Sequence, residues 1–362
     1  MNICIVAGAR PNFVKVAPII RAVERARQTR PDVGYTLVYA GKADDPSLEA
    51  SLFDDLQIQP PSVYLNVDSA SLNEITGRVM GEFEQYLLHH PTDVVIVVDD
   101  LASTMAAAIV TKKQGIRLAH LVAGTRSFDI RMPKEINRLV IDGLSDLLFT
   151  AGDGASNIAS REGANLSKIY KVGNILMDSL RFNHNRWTRP DCMEQLGLND
   201  RQYIVFTLNR KALIADKANL QAMVQTMVDQ AGDVPIVAPL RGMAAQVVGE
   251  INQQLPQRGI TIIQPLGYLD FGYLTAHALG VVTDSGNVAE EATFNSVPCI
   301  TLNSYTEHIE TVSVGSNVLV GEDPQLLGEH IARMVAHEWK NCGIPDRWDG
   351  RAAERIVQIL IG

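Results

Sequence analysis

The chain has 362 residues, 32 of them basic and 41 acidic, for a net charge of −9. A length above the usual single-core size predicts two domains, and the acidic balance argues against nucleic acid or an anionic membrane as partner, while leaving room for a local basic pocket around a phosphate. The opening "MNICIVAG" reads as a strand with no basic or cleavable leader, and no apolar run approaches the ~18–20 residues of a membrane span, so a cytoplasmic protein is expected.

Short β-branched runs then alternate with amphipathic segments. "NICIVAG", "YTLVYAG", "DVVIVVDD", "RLAHLVAG" and "DLLFTAG" have the continuous apolar character of buried parallel strands. Helical patterns such as "VKVAPIIRAVERARQ" and "STMAAAIVTKKQG" separate them. The less apolar "FNHNRWTRPDCMEQLGLNDRQ" breaks the rhythm and marks a domain boundary. Beyond it the alternation restarts with "YIVFTLN", "VPIVAPL", "ITIIQPL", "ALGVVTDSG" and "VPCITLN". Two successive βαβ series predict an α/β protein of two Rossmann-like, doubly wound domains, residues 1–186 and 187–349. The amphipathic segment 350–362 is expected to pack back on the first domain. Ligands of such folds bind at the carboxyl ends of the strands, so a cleft between two domains is the expected site. The four cysteines, Cys4, Cys192, Cys299 and Cys342, lie far apart without metal-type spacing, and no metal is expected. Cys4 and Cys299 sit in apolar runs and read as buried free thiols.

Two strand–helix turns suit a phosphate. In "VAGARPNFVKVAP", Gly8 permits a tight turn, Arg10 projects at the strand end and Pro11 fits a first helical turn. A cation beside a helix N-terminus attracts anions, although a plain connection would have the same sequence. In "VVTDSGNVAEEA", Asp284, Ser285 and Gly286 end a strand and open a helix, offering N–H groups and a hydroxyl to a diphosphate; the alternative is an N-cap with a turn glycine. One turn on, Glu290 and Glu291 stand within reach of ribose hydroxyls. Neither string is a GxGxxG or a Walker loop, so no dinucleotide or ATP cofactor is expected.

Together these pieces resemble the non-hydrolysing UDP-N-acetylglucosamine 2-epimerase family over nearly the whole chain. "GARPNFVKVAPI" is similar to the family's GTRP/GARP opening, and "RSFDIRMPKEINR" to its RSFDxxMPEEINR. "VGNILMDSL", "PLGYLDF", "TDSGNVAEEA", "TEHIETVSVGSNVLVG" and "WDGRAAERIV" follow in the family's order. The resemblance implies two Rossmann-like domains in the GT-B manner, a homodimer, and interconversion of UDP-GlcNAc and UDP-ManNAc by anti-elimination of UDP and its re-addition. Carried over by position, it implies that Arg10, Ser285, Gly286 and Glu291 hold the UDP. It also implies that Arg138 lies near the diphosphate and sugar, and Phe271 near the uracil, although an aromatic at helical spacing also reads as core.

The chemistry of that family demands more. The C2 proton of the sugar is not activated by a carbonyl, so its removal needs a placed base and stabilisation of the departing diphosphate. Asp100 matches the family aspartate, with Asp99 replacing the glycine before it. Val122 stands where HVEAG has glutamate, Lys134 where PEEINR has its first glutamate, and Asn209 where TLHR has histidine; Glu135 alone remains of its pair. Lys42 and Ala43 fall in the TGQH motif, which in bacterial members helps bind an activating second UDP-GlcNAc. Gly143, Arg241 and His308 replace the histidines of TDH and PLHP and the arginine of TERPE. His120 matches a family histidine but lies in an apolar strand and reads as a satisfied core residue. Loss of one acid–base group costs ~10²–10⁴ in rate, and groups that act together do not add.

The expected function is binding of UDP or a UDP-N-acetylhexosamine in the cleft, with ordinary C2 epimerisation compromised. An active isomerase with rearranged chemistry is the alternative, with Asp100, Lys134 and Glu135 as proton carriers and Lys134 as a candidate base in a dry cleft. A GT-B-like glycosyltransferase would keep the UDP site, but no acceptor site is marked. The missing residues and the family's dimeric habit also point to a hetero-partner of a catalytic epimerase.

Overall fold

In the computed structural model, residues 1–48, 50–255 and 259–362 are described. They form two compact units, Met1–Phe182 with Asp346–Gly362, and Asn183–Pro345.

The first unit carries seven parallel strands: β1 (Asn2–Ala7), β2 (Gly34–Tyr39), β3 (Val63–Tyr64), β4 (Val94–Val98), β5 (Arg117–Leu121), β6 (Leu147–Thr150) and β7 (Ile169–Lys171). Their order is β3-β2-β1-β4-β5-β6-β7. All of β4, and β1 beyond Asn2, are buried, because helices cover both faces of the sheet; that is why these strands are unbroken Val/Ile runs. The chain winds outward one way from β1 and the other way from β4, so the crevice at their carboxyl ends is the topological switch point. Gly8, Asp99 and Val122 follow β1, β4 and β5 at that edge. The helix Ala352–Ile361 packs on the helix Arg10–Arg27, and Asp178 caps it, accepting the backbone N–H groups of Ala352 (3.0 Å) and Ala353 (2.8 Å).

The second unit repeats the scheme with six parallel strands: β8 (Ile204–Phe206), β9 (Ile236–Pro239), β10 (Thr261–Ile263), β11 (Gly280–Thr283), β12 (Cys299–Thr301) and β13 (Asn317–Leu319). Their order, β10-β9-β8-β11-β12-β13, is that of a dinucleotide-type half-and-half sheet, with its switch point between β8 and β11. Asn209 and the Asp284-Ser285-Gly286 turn follow these two strands. Every apolar run read as a strand is one. The strands without such a run, β3, β7 and β13, are two- or three-residue edge strands. Cys4 and Cys299 are buried free thiols, both pushed up to about 12 by burial. Among the described residues no helix is long and apolar enough to cross a membrane.

Candidate functional site

At the switch point of the first unit, the turn after β1 is closed by its own helix. The Asn12 side-chain oxygen accepts the backbone N–H groups of Gly8 (2.8 Å) and Ala9 (3.1 Å), and its amide donates to Asp99 (2.7 Å). Lys15, one turn further on, pairs with Asp99 at 2.6 Å. Burial works to raise the Asp99 carboxyl, but Lys15 and Asn12 hold it below its ordinary value. A side chain at Gly8 would come within 2.1 Å of the Ser103 hydroxyl, so the glycine is needed for the turn to lie against the helix Ala102–Lys113. The N–H groups of Gly8 and Ala9 are therefore satisfied within the turn itself. Arg10 opens the helix, half-buried and outside this network. Sequence reasoning missed Asn12 and Lys15; their signal was three-residue spacing on the helix face that follows β1.

Asp99 (φ +59°) and Val122 (φ +71°) are both left-handed, at the ends of adjacent parallel strands. A β-branched residue disfavours that conformation by roughly 1–2 kcal/mol or more. Val122 thus keeps a backbone geometry that its own side chain does not favour. Between the two turns runs a buried relay. His120 bonds Asp142 through Nδ1 (2.6 Å) and the Asp99 carbonyl through Nε2 (3.0 Å). Asp142 also accepts the Gly124 N–H (3.0 Å) and pairs with Arg126 (2.8 Å), which itself holds Glu162. His120 is thus a satisfied interior histidine.

The catalytic candidates form a second network on the helix Pro133–Leu144. Both Nε (2.8 Å) and an Nη (2.5 Å) of Arg138 donate to one oxygen of Asp100, and Lys134 stands 3.5 Å from the other. Asn137 donates to the Asp100 carbonyl. Glu135 accepts the Ser127 N–H and hydroxyl (both 2.8 Å), the Phe128 N–H (3.0 Å) and Arg138 (3.1 Å). Those bonds outweigh burial and hold its carboxyl below the ordinary range. The structure thus brings Asp100, Lys134, Glu135 and Arg138 together, as one closed set of ion pairs. Lys134 does not fit the expectation of a base in a dry pocket: its side chain is 58% exposed and faces a carboxylate. A neutral amine needs enclosure without an anion beside it.

In the second unit, Asp284 accepts the backbone N–H groups of Asn209 (2.7 Å) and Arg210 (2.5 Å), tying the turn after β8 to the turn after β11. Ser285 sits at the N-cap of the helix Gly286–Phe294, but its hydroxyl makes no capping bond. The hydroxyl and the helix's opening amides remain available, the arrangement that binds anions. Glu290 and Glu291 take different environments. Glu290 pairs with His308 (3.2 Å), whose ring lies 4.0 Å from where a side chain on Gly286 would be. Glu291 is buried, and burial reinforced by Glu290 pushes it up to about 8. No described group bonds its carboxyl. Phe271 is half-buried, packed against the core of its own unit.

Comparisons with known proteins agree with this geometry. The profile of the family described as UDP-N-acetylglucosamine 2-epimerase matches residues 25–361. The UDP-N-acetylglucosamine 2-epimerase of Methanocaldococcus jannaschii is 34% identical over 99% of both chains. Its crystal structure in complex with UDP-GlcNAc and UDP superposes with a TM-score of 0.85, covering 99% of each chain. The UDP-2,3-diacetamido-2,3-dideoxy-D-glucuronate 2-epimerase of Pseudomonas aeruginosa is 33% identical, again over 99% of both chains. The Neisseria meningitidis UDP-GlcNAc 2-epimerase bound to UDP-GlcNAc, at 23% identity and full coverage of both chains, shares the fold with a TM-score of 0.86. Two parallel α/β sheets in the GT-B-like manner are common to all of these structures and to this one. Matched by the family profile over residues 25–361 and by a 34% identical relative over 99% of both chains, the chain belongs to the UDP-N-acetylglucosamine 2-epimerase family.

Proposed function

We propose that this chain binds a UDP-sugar and does not carry out ordinary C2 epimerisation. The observation that carries the reading is the contrast between its carboxylates. In the first unit Asp99, Asp100, Glu135 and Asp142 are each held by a cation, and abstraction of a sugar proton would first have to break one of those pairs. In the second unit Glu291 is buried with no bond to a described group, on the same helix whose N-terminus carries a serine hydroxyl free of any capping bond, groups suited to a ribose and a diphosphate. Ser285, Gly286 and Glu291 hold the nucleotide in this reading. Arg10, Arg138 and Phe271 are its further contacts, on the family correspondence alone. Val122 and Asn209, neither of which exchanges protons at neutral pH, occupy the positions where the family has acid–base groups.

Relatives named for two different UDP-sugars at similar identity favour a second reading, an isomerase with rearranged chemistry on another sugar. One experiment separates them. Incubate the full chain in D₂O with UDP-GlcNAc and, separately, with UDP-2,3-diacetamido-2,3-dideoxy-D-glucuronate, the sugar for which the second relative is named, and follow the C2 proton by NMR, with a competent epimerase as control for each. Deuterium at C2, or a ManNAc signal, overturns the first reading. Silence beside a working control, together with calorimetric binding of UDP, supports it; absence of UDP binding overturns it. We also propose that the chain dimerises, with itself or with a catalytic relative from the same cell. A monomeric mass in light scattering, alone and with that relative, would refute this.

A further inference from the structure

We infer that the first unit holds a second anion site, distant in sequence from the UDP-binding turn, that takes a phosphate or diphosphate group. A cavity of about 510 Å³ lies under the N-terminus of the helix Ala352–Ile361, lined by Arg21, Arg25, Arg181 and Arg351, with Pro18 and Phe182 as apolar walls. Four guanidinium groups around one cavity are unusual in a chain of net charge −9. Only two carboxylates, Asp178 and Glu354, line it with them.

Neither carboxylate neutralises the arginines. Asp178 uses one oxygen on the N–H of Ala352 and the other on that of Ala353. Burial, with Asp349 and Glu354 nearby, pushes its carboxyl up to about 6, and among the described residues no ion pair joins it to a guanidinium of the lining. Glu354 stands 3.9 Å from Arg25 with both side chains more than half exposed, a pair of little strength. Each guanidinium carries five N–H donors. Arg21 donates to the Leu56 carbonyl and lies 3.8 Å over the Phe182 ring, which fixes its plane. Arg181 donates to the Asp349 carbonyl, and Gly350 (φ +70°) makes room for it, since a side chain there would come 2.7 Å from the Arg181 stem. Arg351 forms no side-chain hydrogen bond or ion pair among the described residues. Two arginines are thus pre-set by the fold and two are free to close, as a fork-shaped donor set for a phosphate requires.

Cys-type, metal or nucleophilic chemistry is absent from the lining, so the site is one of binding. The probes are inorganic phosphate and pyrophosphate, added to the full chain by calorimetry and thermal shift, at matched ionic strength and with UDP present at saturating concentration. Wild type is expected to bind at least one of them. Arg25→Gln/Arg351→Gln, both at the rim, is expected to weaken that binding about tenfold or more, as loss of charge-assisted bonds does. UDP binding by the double variant should be unchanged, and Arg161→Gln, an exposed arginine elsewhere on the unit, should behave as wild type. The inference is overturned if UDP-saturated wild type binds neither probe, or if the double variant binds them as wild type does. Because the readout is phosphate binding and its loss in the rim variant, it stands or falls independently of the UDP reading.

Discussion

Glu291→Gln separates the charge of a buried carboxyl from its shape. Glu291 is 8% exposed, and burial, then Glu290, push its carboxyl up from 4.5 to about 8. With the folded value above the unfolded one, the folded state keeps a proton that the unfolded chain has released. Its contribution to stability is complete below about pH 4.5, declines as pH rises, and is gone above about pH 8. Between about pH 5 and pH 9 the group crosses roughly three units of that window, worth about 4 kcal/mol at ~1.4 kcal/mol per unit. Glutamine has nearly the same shape and never titrates, so the variant lacks this pH dependence. Relative to wild type, the variant should therefore gain roughly 2–4 kcal/mol between about pH 5 and pH 9. Urea midpoints at each pH, followed by circular dichroism with the two units fitted as separate transitions, measure it. A difference between the proteins that stays constant with pH would refute the reasoning, because it would mean that the carboxyl is ionised in the fold.

If Glu291 takes the ribose as proposed, pH and ligand are linked: hydroxyls donating to the carboxyl would favour its ionised form, so UDP binding near neutrality should expel up to about one proton. Calorimetry in two buffers of different ionisation enthalpy reads this, and identical heats would count against the contact. Arg126→Met should cost ~3–5 kcal/mol, because Asp142, buried with His120, loses its cation. Burial opposes ionisation of Asp142, but His120 and Arg126 hold its carboxyl below the ordinary range, so the contribution is present at neutral pH and fades as pH falls through that lowered value. The gap between Arg126→Met and wild type should accordingly shrink in acid, in urea melts taken down the pH scale. Gly124→Ala should destabilise by ~2 kcal/mol or more, since φ is +74° and the new carbon would lie 2.2 Å from the Ala155 carbonyl oxygen. Gly143→Ala, inside the helix Pro133–Leu144 and meeting open space, should instead raise thermal stability, by ~0.5–1 kcal/mol.

Much of the framework was legible because strand burial is written in consecutive residues. An all-apolar stretch such as "VVIVV" suits only a central strand, and turn residues such as Gly8 and Asp284-Ser285-Gly286 announce where it ends. Of the edge strands only β10, with its "ITII" run, was legible: "VY" or "IYK" is half-exposed and depends on a neighbour for its hydrogen bonds. The site divided in the same way. The identities at Val122, Lys134 and Asn209 could be read directly, but the partners of the carboxylates that remain could not. Lys15 reaches Asp99, and His120 and Arg126 reach Asp142, only because parallel strands align residues far apart in sequence. Such pairings have no local periodicity to betray them. The turn after β1 is a case in point: nothing in its composition shows that Asn12 accepts the N–H groups of Gly8 and Ala9.

The route of the chain through the two units has a consequence for synthesis. The first unit's sheet is complete once Lys171 has left the ribosome, but the helix that covers Arg10–Arg27 is not. All of Asn183–Pro345 must be made first, which at ~5–20 residues per second leaves an apolar helix face bare for roughly ten seconds or more. Asp178 meanwhile waits, uncapping nothing, for N–H groups that do not yet exist. The second unit is continuous and can fold as it emerges. The first behaves as a host around an insert, the earliest in sequence and the last to be finished. A nascent fragment ending before Asp346 should accordingly recruit chaperones that recognise exposed apolar surface, and a separately supplied peptide spanning Asp346–Gly362 should relieve that dependence.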